Sequence, residues 1–364
     1  MPREVILFGL ENDAAGEEPR ALHLLAQGLA VRGHRVTLAG VLPAAEPVRH
    51  VADPAYDLVT LYDRRPGRLL RDGRGRLRRA RAEMARRFEA ARGGHVVIAS
   101  PGASDWLRHV PAPGLSRIGR CARSYRQARL DPAHLRIIRR DYPGMARSVF
   151  LTEEDARAFA AERLPNTAAI PDPLAFYPAE PAALARPRVL GVGPLTWRAR
   201  FDLLIGAFAA AAGRVDEVWE LHLIGEGPWE ERLRALALHL GVADRVAFRG
   251  RARDLARECA EASIVAVTGE FGGPPPALPE AAAYGVPAVS FDGPGGIRSL
   301  VAHDRTGVLV PPSDEDAFAG ALTRLMRDRA LRLRMGSRAR EHVSHLRLER
   351  VLDRWEELFE EIER

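Results

Sequence analysis

Two consecutive α/β domains, each a mainly parallel sheet doubly wound by helices, are the fold class this sequence predicts. Short apolar runs of strand length alternate with helix-period stretches through both halves of the chain. The alternation breaks in the Ala- and Pro-rich stretch Ala179–Arg188. Glycines stand directly after several strand runs, at the edge where open α/β sheets bind ligands. With 364 residues the chain has room for two cores of ordinary size, expected over 1–178 and 179–345, with a closing helix over 346–364.

In the first half, Val5–Leu10 reads as a strand, and a helix follows from about Glu17 to Arg32 with Leu22, Leu25, Ala26 and Leu29 on one face. Gly33-His34 ends that helix and Arg35–Leu42 starts the next strand. Further strands are expected at Leu58–Tyr62, His95–Ser100, Arg117–Gly119 and Ser148–Leu151. After the linker the pattern restarts with strand Arg188–Val192, helix Phe201–Ala211, strand Glu220–Ile224, helix Trp229–Leu240 and strand Val246–Arg249. Strands at Ile264–Val267, Ala288–Phe291 and Val308–Val310 complete it. The last helix, Leu346–Arg364, carries Leu348, Val351, Leu352, Trp355 and Leu358 on one face, which suits a brace crossing back to the first domain.

Composition narrows the function classes. No apolar run approaches the ~20 residues of a membrane span, and the start lacks the h-region and cleavage site of a signal peptide, so a cytoplasmic protein is expected. Two cysteines, Cys121 and Cys259, make neither a disulfide framework nor a Cys-built zinc site. All 54 basic residues are arginine, which removes lysine Schiff-base chemistry and lysine phosphate clamps. Residues 1–180 hold 29 Arg against 21 acids, net +8, whereas the remainder is net −2. Much of the excess lies in Arg64–Arg92, with twelve Arg and three acids. That stretch has few interleaved aromatics and so does not read as a nucleic-acid surface; it is a solvated helix, or a peripheral contact with the inner membrane face or an anionic acceptor. No metal is expected: Asp314-Glu315-Asp316 is the acidic start of a helix, and the eleven His show no ligand spacing.

From Val189 onward the motifs become specific. Gly191-Val192-Gly193…Phe201-Asp202-Leu203-Leu204-Ile205, Leu221-His222-Leu223-Ile224-Gly225-Glu226-Gly227-Pro228, Asp244–Gly250, Pro279–Asp292 and Gly307-Val308-Leu309-Val310-Pro311 occur in order. In this order they resemble the donor-binding domain of family 4 glycosyltransferases of the GT-B fold. More loosely, Gly16…Arg20 with Leu25…Val36 resembles the family's opening loop and helix. Leu151–Ala156 and Ile170-Pro171-Asp172-Pro173-Leu174 resemble its domain-closing segment. The resemblance implies two Rossmann-like domains facing across a cleft and retaining transfer of a sugar from a nucleotide-sugar, uridine-linked by family frequency. It implies no cofactor or metal, and a small-molecule, lipid-linked or polymeric acceptor. It also implies a donor site of Glu280, matching the family's ribose-binding second Glu, with Gly16, Gly193, Gly225, Gly250, Gly272, Gly273, Gly295 and Gly296 along the diphosphate.

Four register positions depart from the family, and a fifth more mildly. The first Glu of its Glu-x7-Glu pair falls on Gly272, with Glu270 two residues early. The diphosphate-clamping Arg and Lys fall on Pro194 and Ala199, flanked by Arg198 and Arg200 as substitutes. The expected acceptor-side histidine falls on Ala122, and the Asn of Ile-Pro-Asn-Pro is, more mildly, Asp172. Glu270, Arg198 and Arg200 are therefore the catalytic candidates. The rival expectation is a catalytically degenerate homologue that binds nucleotide-sugar as a scaffold or partner subunit.

Overall fold

A computed structural model describes residues 2–63, 73–91, 93–251, 254–269, 275, 277–293 and 296–364. It divides into two units, Met1–Ala175 with Leu348–Arg364, and Phe176–Arg347.

The first unit begins β1 (Glu4–Gly9), α1 (Glu17–Val31), β2 (Arg35–Gly40), β3 (Asp57–Thr60), α2 (Gly73–Ala90) and β4 (Gly94–Ile98). It continues with α3 (Pro101–Leu107), β5 (Leu115–Cys121), α4 (Tyr125–Leu130), α5 (Pro132–Asp141), β6 (Arg147–Phe150), α6 (Glu153–Ala161) and β7 (Thr167–Ala169). Its seven strands are all parallel in the order β3-β2-β1-β4-β5-β6-β7. The run Val5–Phe8 is apolar at every position because both faces of the sheet are covered. Val5 and Leu7 enter a core shared with Leu22, Leu25 and Leu29 of α1, while Ile6 and Phe8 enter one shared with Met84 and Phe88 of α2.

The second unit runs β8 (Arg188–Val192), α7 (Phe201–Ala212), β9 (Glu220–Ile224), α8 (Glu230–His239), β10 (Val246–Phe248), α9 (Leu255–Glu261) and β11 (Ile264–Val267). It ends α10 (Ala277–Ala283), β12 (Ala288–Phe291), α11 (Ile297–Leu300), β13 (Gly307–Val310), α12 (Glu315–Arg327) and α13 (Arg329–His342). The parallel order β10-β9-β8-β11-β12-β13 reverses between β8 and β11, as the first sheet reverses between β1 and β4. Those two points open crevices outside the carboxyl ends of the strands. Asp254, Asp314 and Asp328 each accept a backbone N–H at the start of α9, α12 and α13, so the acidic triplet at 314–316 begins a helix.

The final helix, α14 (Leu348–Glu363), packs in the first unit, against α1. Val351, Leu352, Trp355, Leu358 and Phe359 are buried there, and Gly28 admits Leu352, whose Cδ1 lies 2.5 Å from where a Cβ would stand. Arg3 Nε donates to Glu363 at 2.8 Å, and the buried His95 meets the same carboxylate at 3.1 Å while stacking on Phe359. Arg3 first, then His95, holds the Glu363 carboxyl down at about 2. A carboxyl so depressed stabilises the fold above its unfolded pKa of ~4.3 and loses that contribution as pH falls through the folded value. The thermal midpoint of the first unit is therefore expected to decline between about pH 4.5 and 2, less steeply in Glu363→Gln; equal slopes would remove this ion pair as a cause. Partial exposure of Glu363 keeps the effect modest.

Candidate functional site

The carboxyl edge of the second sheet is built from turns that interlock. Gly193 N donates to Ile224 O at 3.0 Å, Leu195 N to Glu226 O at 2.9 Å, and Trp229 N to Leu195 O at 2.9 Å. Gly225 N donates to Gly250 O at 2.7 Å, joining the turn after β9 to the turn after β10. A Cβ on Gly225 would stand 1.9 Å from Gly193 O, and one on Gly227 would stand 2.4 Å from Leu195 O. Glycine at 225 and 227 thus lets two backbone turns touch. At Gly250, φ +67°, a Cβ would meet only Glu226 Oε1, at an ordinary contact distance of 3.9 Å.

Thr268, just past β11, is buried and donates its hydroxyl to Ala199 O at 3.0 Å, tying the two turns that flank the crevice. Glu280 lies in the first turn of α10, 1% exposed. A carboxylate brought into this interior is costly unless charge or hydrogen-bond donors meet it. Among the described residues no group of three or more His, Cys, Asp or Glu could hold a metal ion.

The cations are distributed unevenly. Ala199, in the register of the clamping lysine, is fully buried in the core, and Pro194 is exposed. Arg200 precedes α7 in the left-handed conformation, φ 50° and ψ 40°, and its guanidinium is turned onto Asp202 at 3.1–3.4 Å. Arg249 and Arg251 lie within 3.7 Å and 3.6 Å of Glu258 and Glu226, and Arg298 forks onto Asp292 at 2.7 and 2.6 Å. Of the described arginines on the turns after β8, β10 and β12, Arg198 alone has no carboxylate partner; it is exposed, over the ring of Trp197 at 5.2 Å. Trp197 itself is 60% exposed, and sequence reasoning passed over it.

Gly16 lies in the first unit, before α1 at φ +147° with no side chain capping the helix. Gly296 precedes α11 at φ +79°. Glu270, Gly272, Gly273 and Gly295 fall outside the described residues, as do residues 64–72 and 92 of the arginine-rich stretch; its residues 73–90 form α2.

On the acceptor side of the expectation, Ala122 follows β5, but two residues earlier stands an arginine that sequence reasoning missed. Arg120 is 2% exposed and donates to the Asp172 carboxylate and to Ala99 O. Burial works against its charge, yet Asp172 and Glu18 outweigh that and hold its pKa above the ordinary value. The Glu18 carboxyl, next to Arg120, is pushed up by burial. The signal was present in two places: an arginine within Ile118-Gly119-Arg120-Cys121, and an acid where the family pattern has a neutral Asn.

Comparisons with known proteins agree with the second unit's architecture. Residues 178–342 match the family described as glycosyl transferases group 1. The exopolysaccharide phosphotransferase of Streptomyces coelicolor is 35% identical over 229 residues, 60% of this chain and 24% of its own length. The N-acetyl-alpha-D-glucosaminyl L-malate synthase of Bacillus anthracis is 31% identical over 164 residues, 45% of this chain and 42% of its own. The chain thus spans well under two thirds of these relatives. Among solved structures, S. aureus TarM with fondaparinux, alpha-GlcNAc-glycerol and UDP superposes at TM-score 0.81 with 11% identity, covering 98% of this chain and 99% of that one. Anabaena HepE in complex with UDP superposes at 0.77 with 16% identity, covering 98% and 100%. At such identities the likeness speaks for the fold. By its motifs and the match over 178–342, the second unit is similar to the group 1 glycosyltransferases, and the two parallel-sheet units have the GT-B fold.

Proposed function

We propose that the chain is a glycosyltransferase that takes a uridine-linked nucleotide-sugar on the carboxyl edge of its second sheet. It passes the sugar to an acceptor hydroxyl with retention and without a metal. The observation that carries this reading is the crevice between β8 and β11, with Glu280 behind it, lying inside the segment that matches the family. Ribose hydroxyls donate to the Glu280 carboxylate, and the diphosphate lies along the turns at Gly193, Gly225 and Gly250. As the sugar leaves, negative charge grows on the diphosphate, and Arg198 is the described cation free of a carboxylate to meet it.

The acceptor is a lipid-linked or polymeric glycan, in keeping with relatives named for exopolysaccharide and for a phosphatidylinositol mannoside. Arg76, Arg78, Arg79 and Arg86 of α2 suit a peripheral contact with an anionic inner membrane face. No described helix is long and apolar enough to cross a membrane.

The test is calorimetry and turnover with a panel of nucleotide-sugars. Glu280→Ala and Glu280→Gln are expected to weaken UDP binding by about 1.5–3 kcal/mol; equal affinity would remove the ribose assignment. Arg198→Ala is expected to lower turnover ~10²-fold while Arg200→Ala, its charge already met by Asp202, costs far less. Loss of turnover to a chelator, restored by a divalent metal, would overturn metal independence. The buried Ala199 and exposed Pro194 favour a second reading, a nucleotide-sugar-binding scaffold without turnover; binding with no hydrolysis or transfer across the panel would select it.

A further inference from the structure

We propose that Arg340 is a positioning residue: by holding the carboxyl-terminal end of α10, it sets where the Glu280 carboxylate stands against the ribose of a nucleotide. This deepens, and rests on, the reading of Glu280 as the ribose ligand. Glu280 is buried, three residues before the end of a seven-residue helix. A helix so short is not fixed by its own hydrogen bonds. The groups around its last turn decide where it lies.

Most of those groups belong to α13. A Cβ on Gly336 would stand 1.8 Å from Gly285 O, so glycine there lets α13 lie against the backbone that ends α10. One turn further on, the half-buried Arg340 donates through Nη1 to Ala283 O, the last residue of α10. Through Nη2 it donates to Pro178 O and, at 3.0 Å, to Ala179 O. Its planar fork thus ties the end of α10 to the chain that leads toward β8. The guanidinium is kept in place by Tyr177, whose ring centre lies 4.4 Å from its Cζ and whose Oη donates to Arg340 O at 3.0 Å. Arg347 stands on the same ring at 4.2 Å.

The arginine answers a specific need of the helix. Val286 N donates to Ala281 O, Gly285 N to Ala282 O, and Ala182 N to Tyr284 O at 2.7 Å. The remaining carbonyl in that run is Ala283 O, and the residue four positions on is Pro287, which has no N–H to give. Arg340 fills that place. Tyr284 N, within the same turn, reaches back to Glu280 O at 3.3 Å, so the turn that Arg340 holds is joined directly to the backbone of Glu280.

The test compares the full-length wild type with Arg340→Met and with Tyr177→Leu, which leaves Arg340 in the chain. Calorimetry reads the affinity of each protein for UDP and GDP and for their 2′,3′-dideoxy counterparts, which lack the hydroxyls assigned to Glu280; the tighter-binding base is scored. Wild type is expected to favour the ribose form at least ~10-fold. Arg340→Met is expected to cut that preference at least ~5-fold and Tyr177→Leu about 3-fold, with affinity for the dideoxy form little changed. A merely structural role would weaken both forms alike and leave their ratio as in wild type. An unchanged ratio in Arg340→Met, or in Tyr177→Leu should Arg340→Met not fold, overturns the positioning role and leaves the Glu280 reading standing. A wild type that binds neither nucleotide, or binds both forms equally, overturns the Glu280 reading and the positioning role together.

Discussion

Asp172→Asn is expected to destabilise the first unit by about 3 kcal/mol, because Arg120 would keep its charge in the interior after losing its carboxylate. The Arg120 side chain is 3% exposed and that of Asp172 27%, so solvent screens the pair weakly. Chemical denaturation followed by a probe in the first unit would show a lower midpoint. The double change Arg120→Met with Asp172→Asn should recover most of the loss, since it removes the buried charge along with its partner. An Asp172→Asn protein as stable as wild type would mean that Arg120 finds other compensation.

Gly225→Ala is the second large effect. The new methyl group would stand 1.9 Å from Gly193 O, a backbone atom that cannot rotate away, at a φ of +147° that disfavours any side chain. A cost of about 3 kcal/mol in the second unit is expected, with UDP affinity falling ~10-fold or more as the turns separate. Gly250→Ala is the matched control: φ is +67° and the new methyl group would make only an ordinary 3.9 Å contact with Glu226 Oε1, so the left-handed conformation alone is penalised, about 1–2 kcal/mol. Comparable losses in both variants would show that conformation, and not contact between the turns, sets the requirement for glycine.

The two parallel sheets were legible because strands covered on both faces are apolar at consecutive positions, as in Val5–Phe8 and Ile264–Val267. β7 has only three residues, Thr167–Ala169, and α3 seven, too short for a period to register. The closing helix was read on its apolar face, but it begins at Leu348 because Val343–Leu346 forms a 3-10 turn first. The site was legible only where chemistry follows chain order. Arg120 and Asp172 are 52 residues apart, and Arg340 meets Ala283 across 57, so neither arrangement leaves a local spacing to find. The register of the clamp misled for a related reason. Ala199 faces the core, with its carbonyl held by Thr268, and the charge of Arg200 is spent on Asp202.

The return of α14 to the first unit also fixes an order of assembly on the ribosome. The second unit is continuous from Phe176 to Arg347, so all of its core has been synthesised before Leu348 appears. The first unit, although it begins first, has the core between its sheet and α1 incomplete until Val351, Leu352, Trp355, Leu358 and Phe359 arrive. Folding from the N-terminus onward is thus inverted here: the later unit can close while the earlier one still exposes apolar surface, the condition under which chaperones engage nascent chains.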